Sequence, residues 1–207
     1  MLAGCLDTVY MGVREQLVQA GVELLERNGL TAMSQRQIAD RAGVSHGAPR
    51  HHFPAYANLL AAIAREGVTD LDGLITEGLA DPDPRQALME TCREVIAFAI
   101  ARPAMFELIA RHDLLEGAGG QLRSITSQWL VLLTETIQLA RPGADQRHGL
   151  ALWAGVQGLG IMLGRRSAEA IMSQPVDPDA VLTVLIAGVL DEARPADRVT
   201  VGDVVDE

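Results

Sequence analysis

Residues 34–53, SQRQIADRAGVSHGAPRHHF, decide the fold that this sequence predicts. Ser34 and Gln37 have the spacing of a capping box, so a helix is predicted to begin directly after Ser34. Gly43 is predicted to end this helix, because glycine adopts a left-handed conformation at little cost. Ser45 is the predicted cap of a second helix. Two short helices joined by such a turn form a helix-turn-helix.

Two helices of this size cannot bury a core alone, and the segment just upstream supplies a third. Between residues 11 and 28, apolar side chains recur with the period of a helix until Gly29, which is predicted to end that helix. Residues 11–67 are therefore predicted to form a helix-turn-helix domain. Its second short helix, which carries Arg50 and the neighbouring histidines, is expected to enter a groove of DNA.

The rest of the chain is predicted to be helical as well. Helical patterns separated by proline and glycine turns continue through residues 68–194, which gives about nine helices in an all-α fold. Asp83 and Asp145 are the predicted caps of the fifth and eighth helices, and the ninth is expected to start at Asp177.

Composition is ordinary for a globular protein, with 48% hydrophobic and 21% charged residues in a chain of 207. No apolar run is long enough to span a membrane and the start lacks the features of a signal peptide, so a cytoplasmic location is expected. Cys5 and Cys92 have no metal or disulfide spacing and are expected to be free thiols. Residues 1–10 and 195–207 are predicted to be a disordered leader and tail, and the loop 114–120 to be mobile.

The net charge of −10 is unfavourable for binding DNA, but the charge is unevenly distributed. Between residues 11 and 67, six arginines and five acidic residues leave a charge of +1, so the remainder of the chain carries −11. Three histidines in the same segment can gain protons near a phosphate backbone. This asymmetry favours a chain with one end facing DNA and the other facing solvent.

Two stretches near the end, 150–164 and 181–190, are apolar nearly all round. A helix of that kind is buried on every side, and glycines in the first stretch would let helix axes approach closely. The chain lacks the mass to enclose both helices, so a second copy is expected to cover them. A two-fold dimer would place its two reading helices, the second helix of each helix-turn-helix, about 34 to 36 Å apart or somewhat more, and predicts a palindromic operator. An internal hairpin in a monomer is the alternative.

Roughly positions 11 to 65 contain a characteristic set of residues: Ala20, Leu24, Asn28 and Gly29, the I-A-x2-A-G-V-S of 38–45, Gly47, and the H-F-x5-L-L of His52, Phe53, Leu59 and Leu60. In these residues the chain resembles the tetracycline-repressor (TetR) family of bacterial transcription regulators. The resemblance implies a homodimer joined by its last two helices, bound to double-stranded DNA and released by an unidentified small molecule. Among transcription regulators, the protein is expected to be a repressor.

Ten residues are expected to contact DNA, because their positions in the motif place them on the side that faces it. They are Gln35, Arg36, Ser45, His46, Gly47, Ala48, Arg50, His51, His52 and Tyr56. Arg50 suits a base edge or a phosphate, and the two stay open because the family usually has tyrosine there. His51 is expected to face bases, and His46 and His52 to touch phosphate. Tyr56 stands where the family usually has lysine, which leaves at most a hydrogen bond.

Pro49 is unusual in a reading helix that begins after Ser45. It would fall on the fourth residue and remove a helical donor, so either the first turn is distorted or the regular helix begins at Pro49. A zinc site built from His46, His51 and His52 is a further alternative, but no cysteine or carboxylate completes it. No metal and no cofactor are expected.

Residues 68–194 are expected to bind the small molecule and to dimerise. The resemblance implies a cavity within the fifth to eighth helices, with ten candidate lining residues: Met89, Cys92, Phe98, Met105, Phe106, Ile109, Trp129, Trp153, Gln157 and Met162. Trp153 and Gln157 belong to a W-x3-Q-G sequence similar to the W-x3-H-G motif of one group of the family. His112 and Arg165 are candidates to hold a ligand carboxylate, with a surface position as the alternative.

No enzymatic motif is present, since the sequence has no glycine-rich phosphate loop, nucleophile elbow or metal-ligand spacing. The protein is therefore not expected to be an enzyme. Two alternatives to a ligand-released repressor stay open. One is a ligand-independent regulator or activator, and the other is a small-molecule-binding dimer whose DNA-reading head is degenerate.

Overall fold

The structure, a computed structural model, describes residues 12–111, 113 and 120–191. Five predictions concern residues outside this part of the chain: the leader 1–10, the free thiol of Cys5, the tail 195–207, the loop 114–119 and the ligand contact of His112.

The described residues form ten α-helices, one short 3-10 helix and no strand, which confirms the all-α fold. The α-helices are α1 (Val13–Asn28), α2 (Gln35–Ala42), α3 (Ala48–His52), α4 (Tyr56–Gly78), α5 (Pro84–Ala101), α6 (Pro103–Ala110), α7 (Gly120–Ala140), α8 (Gln146–Gly164), α9 (Ser167–Met172) and α10 (Pro178–Leu190). Among them, none is long and apolar enough to cross a membrane.

The boundaries of α2 are the ones that its sequence predicts. Ser34 Oγ accepts the Gln37 amide at 3.4 Å and also donates to the Gln37 side chain at 2.7 Å. Gly43 follows the last turn with φ 69° and ψ 27°, a left-handed conformation that favours glycine. Ile38 of α2 and Leu17 of α1 are both fully buried and belong to one hydrophobic core, which the two helices share.

The predicted cap of the reading helix is wrong. Helix α3 begins at Ala48 with Gly47 as its N-cap, and Ser45 lies two residues further upstream, in a turn where its carbonyl accepts the Ala48 amide at 2.9 Å. Pro49 explains the later start. In this register it falls in the first turn, where backbone amides lack helical partners anyway. The predicted conflict between Pro49 and a regular helix therefore does not arise.

The long helix α4 connects the first three helices to the rest of the chain. It runs from Tyr56 to Gly78 without a flexible linker and contacts α1, α5, α6 and α7. Ile63 is buried against Gly21 of α1, and Gly67 lies against Met105 of α6. A movement of α4 would therefore change contacts both with α1 and with α5, α6 and α7.

Three aspartates start helices in the second half as predicted. The Asp83 carboxylate accepts the Arg85 amide at 2.9 Å, Asp145 accepts the Arg147 amide at 3.0 Å and Asp177 accepts the Asp179 amide at 3.0 Å. Each carboxylate satisfies a free amide of the first turn.

The end of the chain contains one helix more than predicted. The sequence predicted that the eighth helix would continue to about Arg166, but α8 ends at Gly164 and a short helix, α9, follows. Arg166 and Ser173, which flank α9, both have φ 55°, so the chain reverses into and out of this helix through left-handed residues. Residues 12–111, 113 and 120–191 therefore contain ten α-helices instead of the predicted nine or so.

Within one chain, α8 and α10 are not buried on every side. Leu150 on α8 is 54% exposed and Val184 on α10 is 71% exposed. Gly160 and Gly164 bring α8 close to α5 and α6 of the same chain, and the space above Gly158 is open. The inner faces of these helices form the core, and their outer faces form an apolar surface.

Candidate nucleic-acid interface and inner cavity

Helix α3 presents its polar side chains to solvent because Pro49 and Phe53 anchor its other side. Pro49 is buried and Phe53 is only 3% exposed, whereas Arg50, His51 and His52 are all exposed. Five residues make less than two turns, so two buried anchors fix which side faces outward. The outward side is the part of α3 that can enter a groove.

The arginines of this half of the molecule differ in how they are engaged. The Arg14 guanidinium lies 5.1 Å from the centre of the Phe53 ring, and Arg41 Nε donates to Glu23 at 2.8 Å. Arg36 on α2 and Arg50 on α3 are exposed and form no ion pair within the described part of the chain. These two are the arginines best placed to meet phosphates or bases.

His46 is already paired. Its Nε2 lies 2.5 Å from Asp40 Oδ1, and both side chains are more than half exposed. A carboxylate at that distance offsets the charge of a protonated imidazole. The predicted phosphate contact of His46 would therefore require the imidazole to exchange Asp40 for the phosphate.

Tyr56 has a structural partner of its own. Its hydroxyl donates to the Met33 carbonyl at 3.1 Å, and burial raises the pKa of this phenol. The hydroxyl has one proton, so in this conformation it has none to give to a phosphate. The sequence did not predict this contact, which joins the start of α4 to the segment before α2.

The remaining predicted DNA contacts lie around the same surface. Gln35 is half-buried, Ser45 and Gly47 are exposed in the turn, and Ala48 is half-buried at the start of α3. A methyl group added at Gly47 would meet no atom, so the turn is open to a ligand. No group of three potential metal-ligating side chains, the three histidines included, converges within the described residues.

A cavity lies in the second half of the molecule, between α4, α5, α7 and α8. Its empty volume is about 250 Å³, part of it open to solvent, and the enclosed part has room for about one water molecule. The lining residues are Ile75, Thr91, Cys92, Val95, Leu133, Leu152, Trp153 and Val156. Burial raises the pKa of the Cys92 thiol to about 12.

Two of the ten predicted lining residues, Cys92 and Trp153, line this cavity. Five others are buried in the core outside it: Phe98, Met105, Phe106, Ile109 and Trp129. The last three are half-buried and also lie outside it: Met89, Gln157 and Met162. The predicted ligand contact Arg165 is 57% exposed and is paired with Glu107 at the surface.

The two tryptophans connect the cavity to α4. The rings of Trp153 and Trp129 have their centres 5.7 Å apart. Trp129 is 1% exposed, and its Nε1 donates to Asp72 Oδ1 on α4 at 2.8 Å. A cavity residue is therefore linked to the connecting helix by one ring contact and one hydrogen bond.

Arg102, which lies between α5 and α6, contacts side chains of α1, α4 and α5. Its Nε donates to Glu26 of α1 at 2.8 Å, and its Nη1 donates to Asp70 of α4 at 2.6 Å. The guanidinium also lies 5.4 Å from the centre of the Phe98 ring. Arg102 could not be predicted from the sequence, because its partners are 32 and 76 residues away and no local pattern points to them.

The fold and the exposed side of α3 define a helix-turn-helix protein with a second helical region. Residues 17–63 match the profile of the bacterial regulatory proteins of the tetR family. This part of the chain, which contains the helix-turn-helix, is similar to that family. The similarity of the W-x3-Q-G sequence to the W-x3-H-G group within that family stays a prediction.

Three known proteins illustrate the relationship. The HTH-type transcriptional repressor KstR2 of Rhodococcus jostii is 30% identical over 105 residues, so the match spans about half of each protein, 49% of this chain and 52% of the relative. A protein of unknown function from Rhodococcus sp. RHA1 has the same fold, with a TM-score of 0.71 and 24% identity over 89% of this chain and 97% of that one. BioQ, crystallised with its natural double-stranded DNA operator, gives a TM-score of 0.59 and 18% identity over 86% and 97%.

Proposed function

We propose that the protein is a transcriptional repressor that binds a palindromic operator as a homodimer and is released by a small molecule. Residues 11–67 would form the reading domain, and residues 68–194 the ligand-binding and dimerisation domain. The single observation that carries the proposal is the outward side of α3, where Arg50, His51 and His52 are exposed over the anchors Pro49 and Phe53.

The exposed side of α3 suits DNA in both shape and charge. An exposed helix at the surface of a helix-turn-helix enters the major groove, and guanidinium groups fit both guanine edges and phosphates. Arg36 adds a second exposed guanidinium on the neighbouring helix. The DNA operator of BioQ, a protein of the same fold, supports the same use of the surface here.

The apolar outer surface of α8 and α10 supports a homodimer. Leu150 and Val184 expose large apolar side chains there, and no side chain covers Gly158. Exposed apolar surface of this kind marks interaction sites. A two-fold axis through this surface would pair identical reading helices, and a palindromic operator has the matching symmetry.

Release by a small molecule rests on the position of the cavity. Ile75 of α4 forms part of the cavity wall, and the contact of Trp153 with Trp129 leads to Asp72 on the same helix. A molecule that widens the cavity would therefore displace α4, which carries the reading domain. The two reading helices of a dimer would then no longer match their half-sites.

A mobility-shift titration with the promoter region next to the protein's own gene tests the proposal. We expect specific binding that weakens steeply with salt, because phosphate contacts release counterions. Sedimentation of the same sample should show a dimer at micromolar concentration. Binding no tighter than to unrelated DNA would instead indicate the small-molecule-binding dimer with a degenerate reading head.

A further inference from the structure

The helix-turn-helix segment, residues 34–56, depends on histidine for much of its positive charge. It contains one acidic residue, Asp40, and no lysine, which is absent from the whole chain. Its basic residues are Arg36, Arg41, His46, Arg50, His51 and His52. With neutral histidines, three arginines and one aspartate give a charge of +2, and with three protonated histidines the charge is +5. Protonation would therefore more than double the positive charge of this segment.

All three histidines lie at the surface, on α3 and in the turn before it. His51 and His52 are exposed on α3 and form no hydrogen bond or ion pair with any residue that the structure describes. The side chain of His46 is 55% exposed. Histidine is the side chain that ordinarily changes its charge near neutral pH. Because the three rings are open to water, a change of pH can alter their charge without altering the fold.

His46 differs from the other two because it lies beside the acidic residue of the segment. Its Nε2 is 2.5 Å from Asp40 Oδ1. An unpaired carboxylate at this surface would repel a phosphate backbone, and a protonated His46 offsets that charge without having to reach the phosphate itself. Protonation of His51 and His52 would instead add positive charge on the outward side of α3.

The charges around the histidines come from the two helices that pack against α3, which are α1 and α2. Their charged residues are Arg14, Glu15, Glu23, Glu26, Arg27, Arg36, Asp40 and Arg41. Glu23 is paired with Arg41 and Glu26 with Arg102. The protein therefore surrounds the histidines with charges of both signs. DNA would add only negative charge, which favours the protonated form of a nearby imidazole.

We propose that operator binding is coupled to proton uptake by His46, His51 and His52, so that affinity rises as the pH falls from about 8 to about 6. The proposal rests on the proposed function, because it describes how binding at that same surface is regulated. If phosphates favour the protonated histidines, a lower pH must by linkage favour the bound state. Added phosphate contacts would also release more counterions.

Mobility-shift titrations of the full-length protein with its operator at pH 8, 7 and 6, at constant ionic strength, test the proposal. We expect the affinity to rise at least about tenfold from pH 8 to pH 6, since a gain of about two- to threefold from each of three histidines multiplies to this amount. The dependence of log affinity on log salt should be steeper at pH 6, by about 0.9 for each added phosphate contact.

Glutamine variants assign the effect to the histidines. The triple variant His46→Gln, His51→Gln and His52→Gln should have the same affinity at pH 6 as at pH 8. The matched control is His148→Gln on α8, outside the segment, where glutamine can replace the imidazole that accepts the Asp145 amide. This control should keep the full rise. Asp40→Asn should bind more tightly than the wild type at pH 8, because it removes the acidic residue of the segment.

Two results would overturn the proposal: an affinity that does not change between pH 8 and pH 6, or a rise that the triple variant retains. If the triple variant binds at neither pH, the three single variants decide. Each should show a smaller rise than the wild type, and a full rise in all three would contradict the proposal.

Specific binding at pH 7 tests the proposed function separately. A protein that binds its operator equally well at every pH keeps its proposed function and loses this inference. A protein that does not prefer its operator to unrelated DNA loses the proposed function. In that case the same titrations with an unrelated duplex at low salt decide the coupling, since a rise that the triple variant lacks would still support it.

Discussion

At the scale of single residues, Pro49 shows how one side chain can fix a functional surface. It is buried, it starts α3 late, and with Phe53 it sets the direction in which Arg50 points. The sequence was sufficient to identify Pro49 as unusual but not to choose between a distorted turn and a shifted start. That choice depends on the packing of α3 against α1 and α2, which are separate in sequence.

Replacing Arg50 by alanine tests the reading surface. We expect Arg50→Ala to weaken operator binding by about 1 to 3 kcal/mol if Arg50 contacts a base, and to relax specificity at one position. If Arg50 contacts phosphate, binding should weaken uniformly and the salt slope should fall by about one. Mobility shifts at several salt concentrations separate the two.

Arg123→Ala is the matched control, because Arg123 is an exposed arginine on α7, outside the reading surface. Its operator affinity should equal that of the wild type. An affinity of Arg50→Ala equal to that of this control would remove Arg50 from the DNA-contacting residues.

Cys92 predicts a dependence of stability on alkaline pH. Its pKa is raised to about 12 by burial, so the unfolded chain releases the thiol proton near pH 8.5 while the folded chain keeps it. The free energy of unfolding should therefore fall as pH rises from about 8.5 towards 12, by up to about 1.4 kcal/mol per pH unit. Below pH 8.5 this contribution is fully present.

Urea unfolding of the wild type and of Cys92→Val at pH 8 and pH 10 measures this effect. Between these values the wild type should lose about 2 kcal/mol more than the variant. Few other groups titrate in this window, since the chain has no lysine and two tyrosines. Any effect of the substitution on packing is the same at both pH values, so it cancels when the losses of the two proteins between pH 8 and pH 10 are compared. Parallel losses in the two proteins would contradict the predicted role of the thiol.

At the scale of elements, the sequence predicted helix starts well and contacts between helices poorly. Ser34 and Asp83 cap helices as predicted, because capping depends on residues two or three positions apart. The lining of the cavity could not be predicted in the same way, since apolar residues such as Met105 and Phe106 are equally compatible with a core and with a ligand site.

Arg102 predicts how firmly α1, α4 and the turn between α5 and α6 are held together. Its side chain is 26% exposed and its partner Glu26 is 29% exposed, so this ion pair is partly shielded from water. Arg102→Ala should lower the free energy of unfolding by about 1 to 2 kcal/mol, through loss of the ion pairs and the contact with the Phe98 ring. Urea unfolding measures this change.

The control is Arg85→Ala. Arg85 lies 3.7 Å from Asp191, with both side chains at least 60% exposed, and such pairs contribute about 0 to 1 kcal/mol. An effect of Arg102→Ala no larger than that of Arg85→Ala would show that Arg102 does not hold the three segments together.

At the scale of the whole molecule, the apolar surface of α8 and α10 predicts the oligomeric state. Val184 is 71% exposed within one chain, so a charge placed there should not disturb the fold of the subunit. In the proposed dimer the charge would be buried without a partner. We expect Val184→Glu to raise the dimer dissociation constant by more than about tenfold and to weaken operator binding in parallel.

Sedimentation and mobility shifts measure both effects, with Ile171→Glu as control. Ile171 is 70% exposed on α9, so the control places the same charge on another exposed apolar residue. A Val184→Glu protein that stays dimeric and binds its operator normally would locate the dimer interface elsewhere.

The pair of indole rings gives this molecule an optical signal of its own. Trp129 and Trp153 are the two tryptophans of the chain, and their planes are tilted by 55°. Electronic transitions in rings this close couple and contribute to near-ultraviolet circular dichroism. Trp153 faces the cavity and Trp129 is hydrogen-bonded to α4, so the spectrum of the unlabelled protein should change when the proposed effector binds. Cell extracts could be screened for such a molecule in this way.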